Sequence, residues 1–191
     1  MSQVETPIPR PADDPGRYLS HPDALYEVVD GQVVELPPMG SYAVRVATLL
    51  AGQLLRYLSD NPVGILFIEG IFVLNRARDL RRRPDVAFIS VERWPADRPL
   101  PEDGDIEVVP DIAIEVLSPN DLVTAVMRKV REYFSLGVRE VWLVDPIMRQ
   151  ISVYASPTQV RILDENAELD GGPLLPGFRL PVASVFRRTL R

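Results

Sequence analysis

Two periods of hydrophobic and polar residues alternate along the chain, and they set out its elements. LYEVVDGQVVEL (25–36) is two β-rich runs around Asp30-Gly31, a dipeptide suited to the tight turn of a hairpin. Pro37, Pro38 and Gly40 then break the chain. Ser41 stands where a helix cap belongs. The helix is predicted to run to about Leu58, with Val46, Leu50, Leu54, Tyr57 and Leu58 as its apolar stripe. Asn61-Pro62 ends it. GILFIEGIFVL (64–74) reads as one strand and DVAFISV (85–91) as another. Pro84 sits at the entry of the second, where a missing N–H does least harm.

DIAIEVLS (111–118) is apolar on both faces, as in a strand covered on both sides. Pro119-Asn120-Asp121 turns into a helix expected to reach about Leu136, and Gly137 ends it. VREVWLVD (138–145) is the next strand, and QISVYAS with QVRIL suggests a closing hairpin. The crossover from 111–118 through the helix to 138–145 predicts two parallel strands. No internal repeat appears. The order of elements is that of a mixed α/β domain.

Composition narrows the chemistry. With 191 residues, 46% hydrophobic and 25% charged, the chain has the make-up of a globular protein with a real core. Residues 1–17 hold four of its 19 prolines and are expected to form a flexible tail, with residues 18–191 as one domain. There is no apolar leader and no membrane-length apolar run, so the expected compartment is the cytoplasm and no membrane partner is expected. Cysteine is absent and His21 is the only histidine. That argues against thiolate and histidine-ligated metal sites and against serine or cysteine triads. Net charge is −6, which argues against a general polyanion binder. Arginine occurs 20 times and lysine once, at Lys129.

Three residues stand out. Alternation in 112–117 puts Ile112, Ile114 and Val116 on one face and Ala113, Glu115 and Leu117 on the other. A carboxylate in mid-strand is costly to bury unless it is paired or binds a cation, so Glu115 is either an ion-pair partner or a metal ligand. Asp85 opens the strand after Pro84. If its strand lies beside 111–118, the two carboxylates stand roughly 5 Å apart and suit one Mg²⁺. Asp111 is a rival partner, but it lies about 13 Å from Glu115 by strand rise. Lys129 shares a helix face with Leu122, Ala125, Val126, Tyr133 and Leu136. It points inward, or snorkels to solvent past its neighbours. Glu27, Glu35 and Glu69 lie on other candidate strands, and the sequence does not rank them. The arginines from Arg76 to Arg83 form either a solvated hairpin tip or a basic turn that could hold phosphates.

RRPDVAFI, PDIAIEVLSPND and KVREYFSLGVREVWLVDP, in this order and spacing, resemble the Uma-two family of restriction endonucleases. The upstream YEVVDGQVVEL and the final LLPGFRLPVASVF fit the same family, so the resemblance spans about residues 20 to 187. It implies the PD-(D/E)XK nuclease fold, a mixed sheet flanked by helices, here with an N-terminal β-hairpin. It also implies Mg²⁺- or Mn²⁺-dependent cleavage of DNA phosphodiesters. By position, Pro84-Asp85 is the PD pair and Glu115 the second acid. Leu117 stands where the usual lysine belongs, and Lys129 on the next helix is its substitute. Family members often carry a histidine near the start of the first helix, where this chain has Ser41-Tyr42-Ala43. The implied roles are Asp85, Glu115 and the backbone carbonyl of Val116 as metal ligands, with Lys129 orienting water or stabilising the transition state. A homodimer is expected. A non-catalytic binding or assembly module on the same fold is the alternative. A carboxylate-pair glycosidase is weaker, because two tryptophans make a poor sugar platform.

Overall fold

A computed structural model describes residues 19–20, 24–100, 102 and 104–189. The expected tail over residues 1–17, and His21, lie outside these described residues. The first elements are β1 (Tyr26–Val29), β2 (Gln32–Glu35), α1 (Ser41–Asp60), β3 (Gly64–Ile68), β4 (Phe72–Asn75) and β5 (Leu80–Arg82). Next come β6 (Val86–Ser90), β7 (Ile112–Val116), α2 (Val123–Ser135) and β8 (Glu140–Asp145). β9 (Gln150–Ser156), β10 (Gln159–Leu163), β11 (Glu168–Asp170) and β12 (Arg179–Pro181) complete the described strands. No described helix is long and apolar enough to cross a membrane.

Six strands form the main sheet, in the order β10-β9-β8-β7-β6-β3. β7 and β8 run parallel, as the crossover through α2 requires. The other neighbours in this sheet are antiparallel, so the sheet is mixed, as expected. A smaller antiparallel sheet has the order β2-β1-β5-β4. Its hairpin turns through Asp30 (φ 51°) and Gly31 (φ 78°), both in the left-handed region that a primed two-residue turn demands.

Period two divides the side chains of the main sheet between two cores. Val86, Phe88, Ile112, Ile114, Val116 and Val144 pack toward α1, where they meet Val46, Leu50 and Leu54. Ala87, Ile89, Ala113, Val141 and Leu143 pack with Val130 and Tyr133 of α2. Each fully buried leucine of α1 contributes about 1.5–3 kcal/mol by leaving water. By the same alternation Glu115 falls on the α2 face of β7. α2 ends as its glycine predicts. Gly137 has φ 95°, Val138 N–H donates to the Tyr133 carbonyl at 3.1 Å, and Gly137 N–H donates to that of Phe134 at 3.1 Å, the paired bonds of a glycine-terminated helix.

Four local expectations change. Gly40 occupies the N-cap of α1 and Ser41 is its first helical residue. The strand expected over 64–74 divides at Glu69-Gly70, where Glu69 has φ 52°. β3 stays beside β6 while β4 joins the smaller sheet. Residues 76–79 form the hairpin turn expected of the arginine run, exposed over 76–78, but Leu80–Arg82 is a strand and not part of that tip. Leu122 and Ala125, placed on the inward stripe of α2, are exposed, Leu122 by 71%. The β11–β12 pair has no counterpart in the sequence reading, because each strand has only three residues.

Candidate active site

β6 and β7 are antiparallel neighbours, with Val86 opposite Ile114. Continuing that register one step sets Asp85 opposite Glu115, and a second step sets Pro84 opposite Val116. Opposed residues of a hydrogen-bonded pair normally exchange both N–H···O bonds. Pro84 has no N–H to offer the Val116 carbonyl. The Asp85 carboxylate takes up the Val116 N–H instead, at 2.5 Å. The Pro-Asp pair thus ends the ladder and turns one carboxylate and one carbonyl toward the same edge of β7.

Glu115 is mostly buried, its side chain 14% exposed. Its carboxylate accepts a bond from the Tyr133 hydroxyl at 2.6 Å and meets Lys129 Nζ at 2.9 Å. Lys129 therefore does not snorkel. Its ammonium lies between Glu115 and Glu27, whose Oε1 is 2.8 Å away. Lys129 and Tyr133 are four residues apart, which puts both on one face of α2. Leu117, in the position of the usual lysine, packs into the core beneath α2. The cation that β7 lacks is supplied from the helix above it.

Behind this pair lies a second layer. Glu27 also accepts from Arg82 Nη1 at 2.6 Å and from the Arg83 N–H at 3.0 Å. Arg82 reaches across to Glu132 of α2. The sequence marks Glu27 without ranking it and does not mark Tyr133, Arg82 or Glu132 as site residues. The available signal was a glutamate inside an apolar hairpin strand. Of the other two acids left open, Glu35 binds the Ser20 hydroxyl at 2.7 Å, and Glu69 is close enough to act on Asp85 by charge alone. Asp111 is turned away, toward the Ser90 N–H at 2.7 Å and toward Arg93 and Arg139.

The electrostatics follow from burial and from this pairing. Burial, reinforced by the Glu115 charge, pushes the Asp85 carboxyl up from 3.8 to about 7. Burial also raises Glu115, against the pull of Lys129. For Glu27 burial is outweighed by Lys129 and Arg82, which hold it below its ordinary value. Burial opposes the charge on Lys129, but Glu115 and Glu27 outweigh it and raise its pKa. Four carboxylates (Glu27, Asp85, Glu115, Glu132) thus face two cations (Arg82, Lys129).

With Asp85 and Glu115 both ionised, this is a surplus of two negative charges, which one divalent cation would neutralise. Among the described residues no three potential ligand side chains converge on one point. An ion here would rest on the Asp85–Glu115 pair and complete its shell from backbone, water or phosphate. Mg²⁺ accepts that arrangement, and its preference for hard oxygen donors fits the set present. A cleft of about 290 Å³ opens over Asp85, Glu115 and Lys129. A larger hollow of about 570 Å³, lined by Arg149, Phe186, Arg187, Arg188 and Thr189, holds no acid and lies elsewhere. Both tryptophans, Trp94 and Trp142, are buried, so neither offers a sugar platform.

A mixed six-stranded sheet carrying an acid pair at the broken end of its central ladder defines a restriction-endonuclease-like nuclease fold. The chain belongs to the Uma2 family, whose description is "Putative restriction endonuclease", with residues 15–183 matched. Among solved structures it is similar to one described as a "putative nuclease belonging to DUF820 from Anabaena variabilis". That likeness has a TM-score of 0.73 at 20% identity, and covers 91% of this chain and 96% of the other. No curated protein matches the chain.

Proposed function

We propose that this protein is a Mg²⁺- or Mn²⁺-dependent endonuclease that hydrolyses DNA phosphodiester bonds. The observation that carries the reading is the Asp85–Glu115 pair, held side by side with surplus negative charge at the floor of an open cleft. Asp85, Glu115 and the Val116 carbonyl would hold the cation. A bound Mg²⁺ supplies Lewis-acid activation of water and neutralises charge on the phosphate. The chain's own groups do the positioning. Val116 N–H fixes Asp85, while Tyr133 and Lys129 fix Glu115. Lys129 lies between Glu115 and Glu27, which raise its pKa and favour the ammonium. Its role is electrostatic, orienting water or stabilising charge on the phosphoryl oxygens.

The test is nicking of supercoiled plasmid and of circular single-stranded DNA with Mg²⁺ or Mn²⁺, comparing wild type with Asp85→Asn. Activity in the wild type and its loss in the variant are expected. Equal cleavage by both proteins would sink the reading. A binding module on the nuclease fold is the second reading, favoured by Leu117 in the lysine position. It does not require Mn²⁺ binding at the acid pair, which the nuclease reading does, and calorimetry reads the difference. A homodimer is part of the proposal, and light scattering at micromolar concentration reads it.

A further inference from the structure

We propose that the DNA taken by this site is an unpaired strand, threaded beneath the Leu36–Met39 segment, and that Arg83 holds its phosphate beside Asp85. This rests on the nuclease reading above. The cleft over the acids is one of two hollows, of about 290 and 310 Å³. Both are lined by Leu36, Pro37, Pro38, Met39, Arg83 and Asp85. Asp85 is therefore approached from either side of the same segment, as an entry and an exit require. A strand cut internally needs room on both sides of its scissile phosphate.

Size selects the form of the DNA. Each hollow is near the lower bound of a small-ligand pocket, roughly 300 Å³, which suits a nucleotide-sized unit. A duplex is far broader, its major groove alone being about 12 Å wide. The acids are recessed, with the Glu115 side chain 14% and the Glu27 side chain 4% exposed. Val34, Leu36, Met39 and Leu122 give the first hollow apolar walls, which a base or sugar can face without sequence preference. The net charge of −6 also disfavours laying two phosphate backbones across this surface.

Charge selects Arg83. Within the arginine run, Arg76 pairs with Glu107, Arg78 with Asp30, Arg81 with Asp79 and Asp105, and Arg82 with Glu27 and Glu132. Arg83 is held differently. It donates to the Tyr26 carbonyl at 3.2 Å and the Glu69 carbonyl at 2.6 Å, and lies over the Tyr26 ring at 5.4 Å. Among the described residues Arg83 has no carboxylate partner, so these contacts fix the guanidinium without cancelling its charge. Four of the five arginines thus pair with carboxylates, and the one bordering both hollows keeps its charge for an anion.

Fluorescence anisotropy in Ca²⁺ tests this, with a labelled oligothymidylate against a blunt duplex of equal length. The single strand is expected to bind about tenfold or more tightly than the duplex. Arg83→Gln should reduce the slope of log K against log salt by about 0.7, the value for one phosphate contact on a single strand. Arg83→Lys should restore that slope, which a purely bracing role would not do. Equal or tighter duplex binding overturns the proposal, as does binding of neither DNA. An unchanged slope in Arg83→Gln also overturns it. The wild-type comparison of the two DNAs decides even if a variant fails to fold. Failure of the nuclease reading shows separately, as cleavage that Asp85→Asn leaves intact.

Discussion

The two ends of β7 each bury a carboxylate among cations, and only one end is balanced. Just before the strand, the fully buried Asp111 accepts the Ser90 N–H and contacts both Arg93 and Arg139 at 3.0 and 3.2 Å. Glu92 pairs with Arg139 as well, so two acids there meet two guanidiniums, and the backbone of Arg139 and Glu140 also bonds to the Asp111 carbonyl. At the other end, Glu115 and Asp85 belong to a group with more carboxylates than cations, under an open cleft. Both ends would look alike to a search for buried charge. What separates them is surplus charge and access. The Asp111 end ties β6, β7 and β8 together, whereas the Glu115 end faces the open cleft.

Removing Asp111 gives the sharpest contrast. Asp111→Ala removes the acceptor of the Ser90 N–H and one carboxylate partner of each arginine, while Arg139 keeps Glu92 and Arg93 keeps its backbone acceptors. Breaking such buried pairs costs about 3–5 kcal/mol. Arg139 is partly exposed and can turn to water, so a loss of about 3 kcal/mol is expected in urea unfolding. Mn²⁺ affinity, read by calorimetry, should not change. A fall in affinity would mean that the two ends are not independent. Lys129→Ala comes next. A snorkelling lysine would cost about 0–1 kcal/mol, but Lys129 joins two buried carboxylates, and its loss should cost about 3 kcal/mol at neutral pH. Metal binding should survive while nicking is lost. Lys129→Arg should keep the charge and still cleave poorly, because a planar guanidinium does not fit the place of a compact ammonium. Full cleavage by Lys129→Ala would remove the lysine from the mechanism.

Tyr133→Phe probes the fixing of Glu115 with a smaller change. A hydrogen bond to a charged group contributes about 1.5–3 kcal/mol, and shape is preserved here, so a loss of about 1.5 kcal/mol is expected. Without the hydroxyl, Glu115 is less well held as an anion, and Mn²⁺ should bind several-fold more weakly. The matching change at the other end, Ser90→Ala, leaves the backbone N–H on Asp111 and should leave Mn²⁺ affinity alone. Equal metal affinity in Tyr133→Phe and wild type would assign Tyr133 to packing only.

The acid pair was legible in the sequence because its signal is local. Pro84-Asp85 at a strand entry and a glutamate among isoleucines each break the pattern around them, and period two fixes which face Glu115 takes. Lys129 was legible because it is the only lysine in a chain full of arginine. Glu27 was visible but unranked, since its place depends on the smaller sheet folding against α2. The division at Glu69-Gly70, which sends β4 into that sheet, has no strong breaker in the sequence and was read through as one strand. The arginine run was legible in part. Residues 76–79 form a hairpin turn, exposed over 76–78, whereas Arg81 and Arg82 belong to β5 and find their partners Glu27, Asp105 and Glu132 in distant segments. Leu122 and Ala125 have helical spacing but face the cleft, because the wheel does not say where the core stops.

The effect smallest at each step is a slope in stability with pH, and its sign tests the Glu115 end. Asp85 has a carboxyl raised to about 7 against an ordinary value of 3.8. Below pH 4 both folded and unfolded chains carry the proton, so the group contributes nothing to the balance. Between 3.8 and about 7 the unfolded chain releases the proton first, and the folded state is progressively disfavoured as pH rises. Above about 7 both states are ionised and the slope ends. Metal-free protein should therefore lose stability toward neutral pH, by at most about 1.4 kcal/mol per pH unit from this residue. Glu115, also raised by burial, adds in the same direction. Asp85→Asn should flatten the slope, and saturating Mn²⁺ should do so too by holding the carboxylate as an anion. Mn²⁺ affinity should rise with pH up to about 7 as the competing proton leaves. Urea unfolding across this range decides the point. Identical slopes in wild type and Asp85→Asn would show that the Glu115 end carries no surplus charge at Asp85, and the contrast between the two ends of β7 would fail.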